Sequence, residues 1–258
     1  MPDQLSLRLE AGMPRPPSTL RPMLERPLPE PFDSAAHLFE PVWGGVRALA
    51  VIGPAEQPGA GDVTFIREDG QVLSPTPIDL AGLAARIAAR SAVLDGELVV
   101  VDAEGRLDRD ELERRLGGER GRPLAYLAFD LLEVDGRPQL LLPLVRRREL
   151  LRRILRPGDE LVAVPAIAEE GRALYAAVSA QGLAGIRARQ ASSPYLPGVR
   201  SRLWRSIPIA SETRLSPSEA AEVAASAEPA PGPGPAPVLA LIARLPLGLD
   251  DDPEPAAS

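Results

Sequence analysis

The sequence predicts a mixed α/β fold of the α+β type, in which largely antiparallel sheets are flanked by helices. Between residues 31 and 209, short apolar runs bounded by Gly, Pro or Asp alternate with stretches whose apolar residues recur at helical spacing. Two of the runs lead into turn signals, at 102–105 and 135–136, of the kind that close antiparallel hairpins. A chain of 258 residues with 45% hydrophobic content suffices for one sizeable core with tails, so a single main folded unit is expected.

Residues 1–30 are proline-rich. Pro14, Pro16, Pro17, Pro22, Pro27 and Pro29 block regular helix and sheet pairing, so this stretch is expected to wrap the surface or move. The body then spans 31–210. Its expected strands are 46–52, 63–67, 93–101, 124–132, 161–164, 185–189 and 203–209. Its expected helices are 79–90, 108–116, 144–155 and 169–181. In 144–155 the leucines and Ile154 fall broadly on one side with most of the arginines opposite, which reads as a solvated face or a phosphate contact. Residues 211–237 are an Ala/Pro/Gly-rich flexible linker. Residues 238–258 form an apolar docking segment with an acidic end, placed to dock on its own body or on a partner.

Composition excludes several classes. With no cysteine and one histidine, His37, neither disulfides nor a thiolate zinc site can form. No run of 18 apolar residues and no charged-then-apolar leader is present, so a cytoplasmic protein without membrane contact is expected. The formal charge of −7 argues against a surface that coats nucleic acid indiscriminately, although the net negative charge concentrates beyond residue 211, where eight acidic residues stand against Arg214 and Arg244. All 29 basic residues are arginine; the chain contains no lysine.

Five ordered motifs follow. They are Phe39-Glu-Pro-Val-Trp-Gly-Gly-Val-Arg, Val93-Leu-Asp-Gly-Glu-Leu-Val, Tyr126-Leu-Ala-Phe-Asp, Gly182-Leu-Ala-Gly-Ile-Arg-Ala-Arg and Ser193-Pro-Tyr-Leu-Pro-Gly-Val-Arg-Ser-Arg-Leu-Trp. In this order and spacing, over roughly 23–208, the chain resembles the adenylation domain of ATP-dependent DNA ligases, particularly the bacterial end-joining type. The resemblance implies an ATP-grasp-like nucleotidyltransferase domain, ATP and Mg²⁺ as cofactors, DNA or DNA-repair proteins as partners, and a role in repair or recombination. It further implies that Arg47, Arg67, Glu97 and Phe129 contact the nucleotide: Arg67 its phosphate, Glu97 its ribose and Phe129 its adenine. The 49 residues after Ile209 are too few and too proline-rich for a following OB-fold barrel.

The departures fall on the chemical positions. Val42 stands where the family has its nucleophilic lysine, Gly44 replaces an aspartate, Ala184 a metal-binding glutamate, and Ser206 and Pro208 two lysines. Attack on an α-phosphate needs a lone pair, which Val42 lacks and a guanidinium does not offer. The expectation is therefore a degenerate ligase homologue that binds a nucleotide, DNA or a partner, the alternative being an active strand-joining ligase. Other readings stay open residue by residue. Glu97 touches a ligand or pairs with an arginine, Phe129 stacks or packs, and Arg47 and Arg67 hold phosphate or a carboxylate. Arg187, Arg189, Arg200 and Arg202 form a late basic run suited to nucleic-acid phosphates.

Overall fold

The computed structural model describes residues 20–74, 76–102 and 106–209; the expected linker and docking segment lie outside the described residues. In chain order the strands are β1 (Leu24–Pro27), β2 (Ser34–Val42), β3 (Val46–Ile52), β4 (Val63–Arg67), β5 (Val72–Leu73) and β6 (Ala92–Val99). There follow β7 (Ala125–Val134), β8 (Arg137–Pro138), β9 (Leu161–Ala163), β10 (Ile167–Glu169), β11 (Gly185–Gln190) and β12 (Arg200–Pro208). The helices are α1 (Arg109–Leu116), α2 (Leu144–Ile154) and α3 (Gly171–Ala180). None of them is long and apolar enough to cross a membrane.

These strands make two sheets. The larger runs β5-β4-β3-β6-β7-β8, antiparallel throughout, with β9 added parallel to β7. The smaller runs β1-β12-β11-β2-β10, antiparallel except where β1 joins β12 in parallel. Alternation sorts the residues of β3 and β6. Val46, Ala48, Ala50 and Ile52 enter one core with Leu94, Leu98, Tyr126, Leu112 of α1 and Leu151 of α2. Leu49 and Val93, on the other face, enter a cluster with Met23, Leu132, Tyr195 and Trp204. In a third cluster, Leu174 and Val178 of α3 join Phe39, Ile186, Ala188 and Ile207 of the smaller sheet, and Val99, Leu127 and Phe129 of the larger. The mixed architecture and its antiparallel sheets agree with the expected fold class.

Local chemistry accounts for the turns and caps. Asp135 and Gly136 both adopt positive φ, 49° and 74°, as the two-residue turn joining β7 to β8 requires. The Asp108 side chain accepts from the Glu111 N–H at 2.9 Å and caps α1.

Three expectations need correction. Residues 79–90 are not one helix but two 3₁₀ turns, Ile78–Leu80 and Leu83–Arg86, separated at Gly82. Each turn buries its own leucine, and glycine costs a continuous helix about 1 kcal/mol relative to alanine. The proline-rich stretch contains strand β1, tolerated because it is an edge strand and Pro27 closes it. The arginine side of α2 is solvated only in part: Arg146, Arg152 and Arg153 are exposed, whereas Arg147 and Arg148 are buried.

Gly96 shows how closely the central strands approach. A Cβ there would sit 2.5 Å from the Leu127 carbonyl oxygen and 2.5 Å from the Tyr126 ring, whose hydroxyl donates to Ala48 O and Leu94 O at 2.9 and 3.1 Å. Gly96→Ala should therefore lower stability by about 2 kcal/mol or more in urea unfolding. Gly82→Ala, at φ −86° with nothing within 4 Å of the added carbon, should instead stabilise by about 0.5 kcal/mol.

Candidate functional site

Strand register assembles the site from both sheets. On the smaller sheet Arg187 lies opposite Glu40 of β2 and Ser206 of β12, and Arg189 lies opposite Trp204. On the larger sheet Arg47 lies opposite Glu97, and Asp95 lies opposite Asp130. Arg187 then pairs with Glu97 across the space between the sheets, while the remaining pairs form within one sheet or with α2.

Arg47 grips Asp95 with two hydrogen bonds, Nε to Oδ1 at 3.1 Å and Nη2 to Oδ2 at 2.7 Å, while the Tyr195 hydroxyl donates to Oδ2 at 2.7 Å. Arg187 Nε lies 2.8 Å from Glu25 Oε1 of β1, and its Nη2 pairs with Glu97 across the sheets. Arg189 reaches Glu40 at 2.6 Å and Glu25 at 3.4 Å, with its guanidinium 4.0 Å from the Phe129 ring centroid and 4.4 Å from that of Trp204. From α2, Arg148 pairs with the other oxygen of Glu40. Arg147 binds Asp130 through two contacts of 2.8 Å and donates to the Ser193 carbonyl at 2.9 Å.

Five arginines thus meet five carboxylates, and none of these side chains is more than 12% exposed. Burial of charge costs several kcal/mol per ion unless geometry and added hydrogen bonds offset it, and here most of the groups serve two partners. The electrostatics follow. Burial pushes the Glu25 carboxyl up, but Arg187, Arg189 and Arg47 outweigh it and hold the group below its ordinary 4.5. Burial works against the Arg47 charge and Asp95 overcomes it, raising its pKa well above the ordinary value. Burial and Asp95 together raise Tyr195, which stays a phenol and donates. Away from this layer, burial and Arg205 lower His37, whose ring bonds Ser34 at 2.9 Å.

Beside this layer lies a cleft of about 240 Å³, lined by Leu24, Glu25, Gly45, Arg47, Glu68, Glu97, Arg187, Arg200 and Ser206. Of the residues expected to contact a nucleotide, Arg47 and Glu97 line it. Phe129 does not: it is 1% exposed, with the Arg189 guanidinium over its ring. Arg67 ends β4, and its neighbour Glu68 lines the cleft instead. Val42 ends β2 opposite Gly185, outside the lining. The late basic run divides. Arg200 and Arg202 are exposed, whereas Arg187 and Arg189 are buried in ion pairs. Arg202 borders a second, open groove with Leu28, Phe32, His37, Gln190, Leu203 and Arg205.

Sequence reasoning missed Glu25, Glu40, Asp95, Asp130, Arg147 and Arg148 as members of the site. A signal existed for part of the layer: Arg187 and Arg189 alternate with Ile186 and Ala188, which places both arginines on one strand face. No local signal marks Glu25, which precedes Arg26 and Pro27 in a stretch that reads as coil.

The residues present do not fit a nucleotide with its divalent cation. Triphosphate binding needs cations available to the phosphates. Here Arg47 and Arg187 are committed to carboxylates, and Arg200 donates to the Glu25 carbonyl at 2.6 Å. Among the described residues no group of three or more His, Asp or Glu side chains converges as a set of cation ligands.

Comparison with known proteins agrees with this architecture. The family model described as ATP dependent DNA ligase domain matches residues 38–207. The multifunctional non-homologous end joining DNA repair protein LigD of Mycobacterium tuberculosis is 30% identical over 166 residues, 64% of this chain and 21% of that protein. A probable DNA ligase of Rhodococcus opacus is 29% identical over 210 residues, covering 78% of this chain and 40% of its own. The structure of mycobacterial DNA ligase D complexed with ATP and MES superposes with a TM-score of 0.64 at 27% identity, covering 75% of this chain and 62% of that one. The chain spans about a fifth of the LigD relative's length.

Two outcomes follow from the ion pairs. Arg147→Met or Asp130→Leu alone should cost about 3–5 kcal/mol in chemical denaturation, because each leaves a buried charge without its partner. The double replacement should cost clearly less than the sum. Because the folded pKa of Glu25 lies below 4.5, its contribution is fully present above that pH and is lost as pH falls through the lowered value. The stability advantage of the wild type over Glu25→Gln, followed by unfolding at a series of pH values, should be constant near neutrality and shrink below pH 4.5.

Proposed function

The chain belongs to the ATP-dependent DNA ligase domain family, whose model spans residues 38–207, and on that basis we propose that it is a non-catalytic member acting as a DNA-engaging module in end-joining repair. The observation that carries this reading is the absence of any lysine from the 258 residues. A family mechanism built on a lysine nucleophile has no atom here to form its covalent intermediate. Val42 offers no lone pair, and none of the arginines can substitute, since a guanidinium stays protonated and its nitrogen lone pairs are delocalised.

DNA is favoured over a nucleotide by how the cations are distributed. The inward arginines are already paired, while Arg26, Arg200 and Arg202 are exposed on the β1–β12 edge of the smaller sheet. Exposed guanidiniums at a sheet edge suit phosphate-backbone contacts, which position a protein on DNA without reading sequence. The names of the relatives, an end-joining repair protein and a DNA ligase, point to the same substrate class.

Incubation with α-labelled ATP and Mg²⁺, followed by denaturing electrophoresis, should leave the protein unlabelled; a labelled band would return the chain to the active ligases. Fluorescence anisotropy with a labelled duplex should give salt-dependent binding. Arg200→Ala combined with Arg202→Ala should weaken it similarly for different sequences and reduce the log–log salt slope by about 2, one unit for each phosphate no longer neutralised. An unchanged slope would remove these residues from the interface.

A further inference from the structure

We propose that the open groove beside Arg202 is the docking site of the chain's own C-terminal segment, residues 238–254. The groove measures about 500 Å³ and runs over β12, β11 and β2. Its apolar surface comes from Leu28, Phe32 and Leu203, all only half-buried. Its charge comes from Arg202 and Arg205, and Arg26 of β1 stands opposite Arg205 in the sheet. Among the described residues none of these three guanidiniums has a carboxylate partner. An apolar surface bordered by unmatched cations is complementary to an apolar chain that carries acids.

The sequence beyond the described residues supplies such a chain. From Leu239 to Leu249 every odd-numbered position except Ala243 is leucine, the period-2 pattern that sets one apolar edge along an extended segment, and Pro246 argues against a continuous helix. Asp250, Asp251, Asp252 and Glu254 follow directly. Residues 1–19 balance Asp3 and Glu10 with Arg8 and Arg15 and offer no such complement. Reach is ample. β12 carries both groove arginines and ends at Pro208, with Arg205 about 14 Å of strand from residue 209. A random coil as long as 210–237 spans about 30 Å. Tethering at that length gives an effective concentration on the order of 1 mM, so an intrinsic Kd of about 0.1 mM keeps about nine tenths of the molecules docked. Arg202 also belongs to the edge proposed to meet the phosphate backbone, so docked acids compete with DNA there. That consequence rests on the DNA reading; the docking itself does not.

Composition supplies both probes for the test. His37, which lines the groove, is the chain's one histidine, and the chain has no cysteine, so Ala256→Cys takes a nitroxide at a single place. In the full chain the docked segment should bleach the His37 ring signal in NMR, and reduction of the nitroxide should restore it. Leu241→Ser with Leu245→Ser, each weakening docking about tenfold, should drop the docked fraction to about a tenth and remove most of the bleaching. The second readout is the His37 titration. Burial and Arg205 hold its pKa below the ordinary value, and acids docked on Arg202 and Arg205 oppose that effect. Asp250→Asn, Asp251→Asn and Asp252→Asn together should therefore move the midpoint down in the full chain and leave it unmoved in the double-serine background. Equal bleaching with and without the two serines overturns the proposal, as does a midpoint that ignores the asparagines while the leucines are present. Bleaching that persists when nitroxide and isotope sit on separate molecules also overturns it, by giving the groove to a second copy.

Discussion

Five arginines and five carboxylates share the space between the two sheets, and each depends on its partners because the surrounding medium solvates charge poorly. Apolar packing tolerates small shifts in distance, but a buried bidentate pair such as Arg47 with Asp95 or Arg147 with Asp130 does not. The layer ties the two sheets together where Arg187 of the smaller meets Glu97 of the larger. It also fixes α2, whose Arg147 and Arg148 reach into it, and β1, which supplies Glu25. Tyr195 and Trp204 close the layer by donating to Asp95 and Ser193.

The same interactions shape function. A cleft that binds an anionic ligand keeps its cations poorly compensated until the ligand arrives, and that stored imbalance is part of what drives binding. In this chain the inward cations are compensated from within, and the ring face of Phe129 is covered by Arg189. Arg26, Arg200 and Arg202 face solvent on the β1–β12 edge, as Arg146, Arg152 and Arg153 do on α2. The fold of the family is kept, and its inward cations are paired with carboxylates of the same chain.

Much of the fold is legible in the sequence, for reasons that differ by element. β3 and β4 are readable because apolar runs bounded by Gly, Pro or Asp make their limits sharp. β6 and β7 are visible as apolar runs despite the carboxylates inside them. The stretch 79–90 misleads because its apolar spacing suits a helix, whereas Gly82 allows two separate turns to bury the same leucines. β1 and β2 escape notice because proline, serine and alanine give no strand signal, and both strands exist only through pairing with residues far along the chain, β1 with β12 and β2 with β11.

Residue identity and spacing were enough to point to the family, the central strands and the absence of lysine, because these are local facts that folding cannot alter. Arg47 and Glu97, which the motifs single out, both line one cleft. What the arginines do was settled by packing alone. Whether a guanidinium meets solvent, a phosphate or a carboxylate depends on which side chains arrive opposite it. For Arg187 the partners are Glu25 and Glu97, for Arg189 Glu40, and for Arg148 Glu40 from more than a hundred residues away. Charge is written in the sequence, but its compensation is a property of distance, and distance is set by how the two sheets come together.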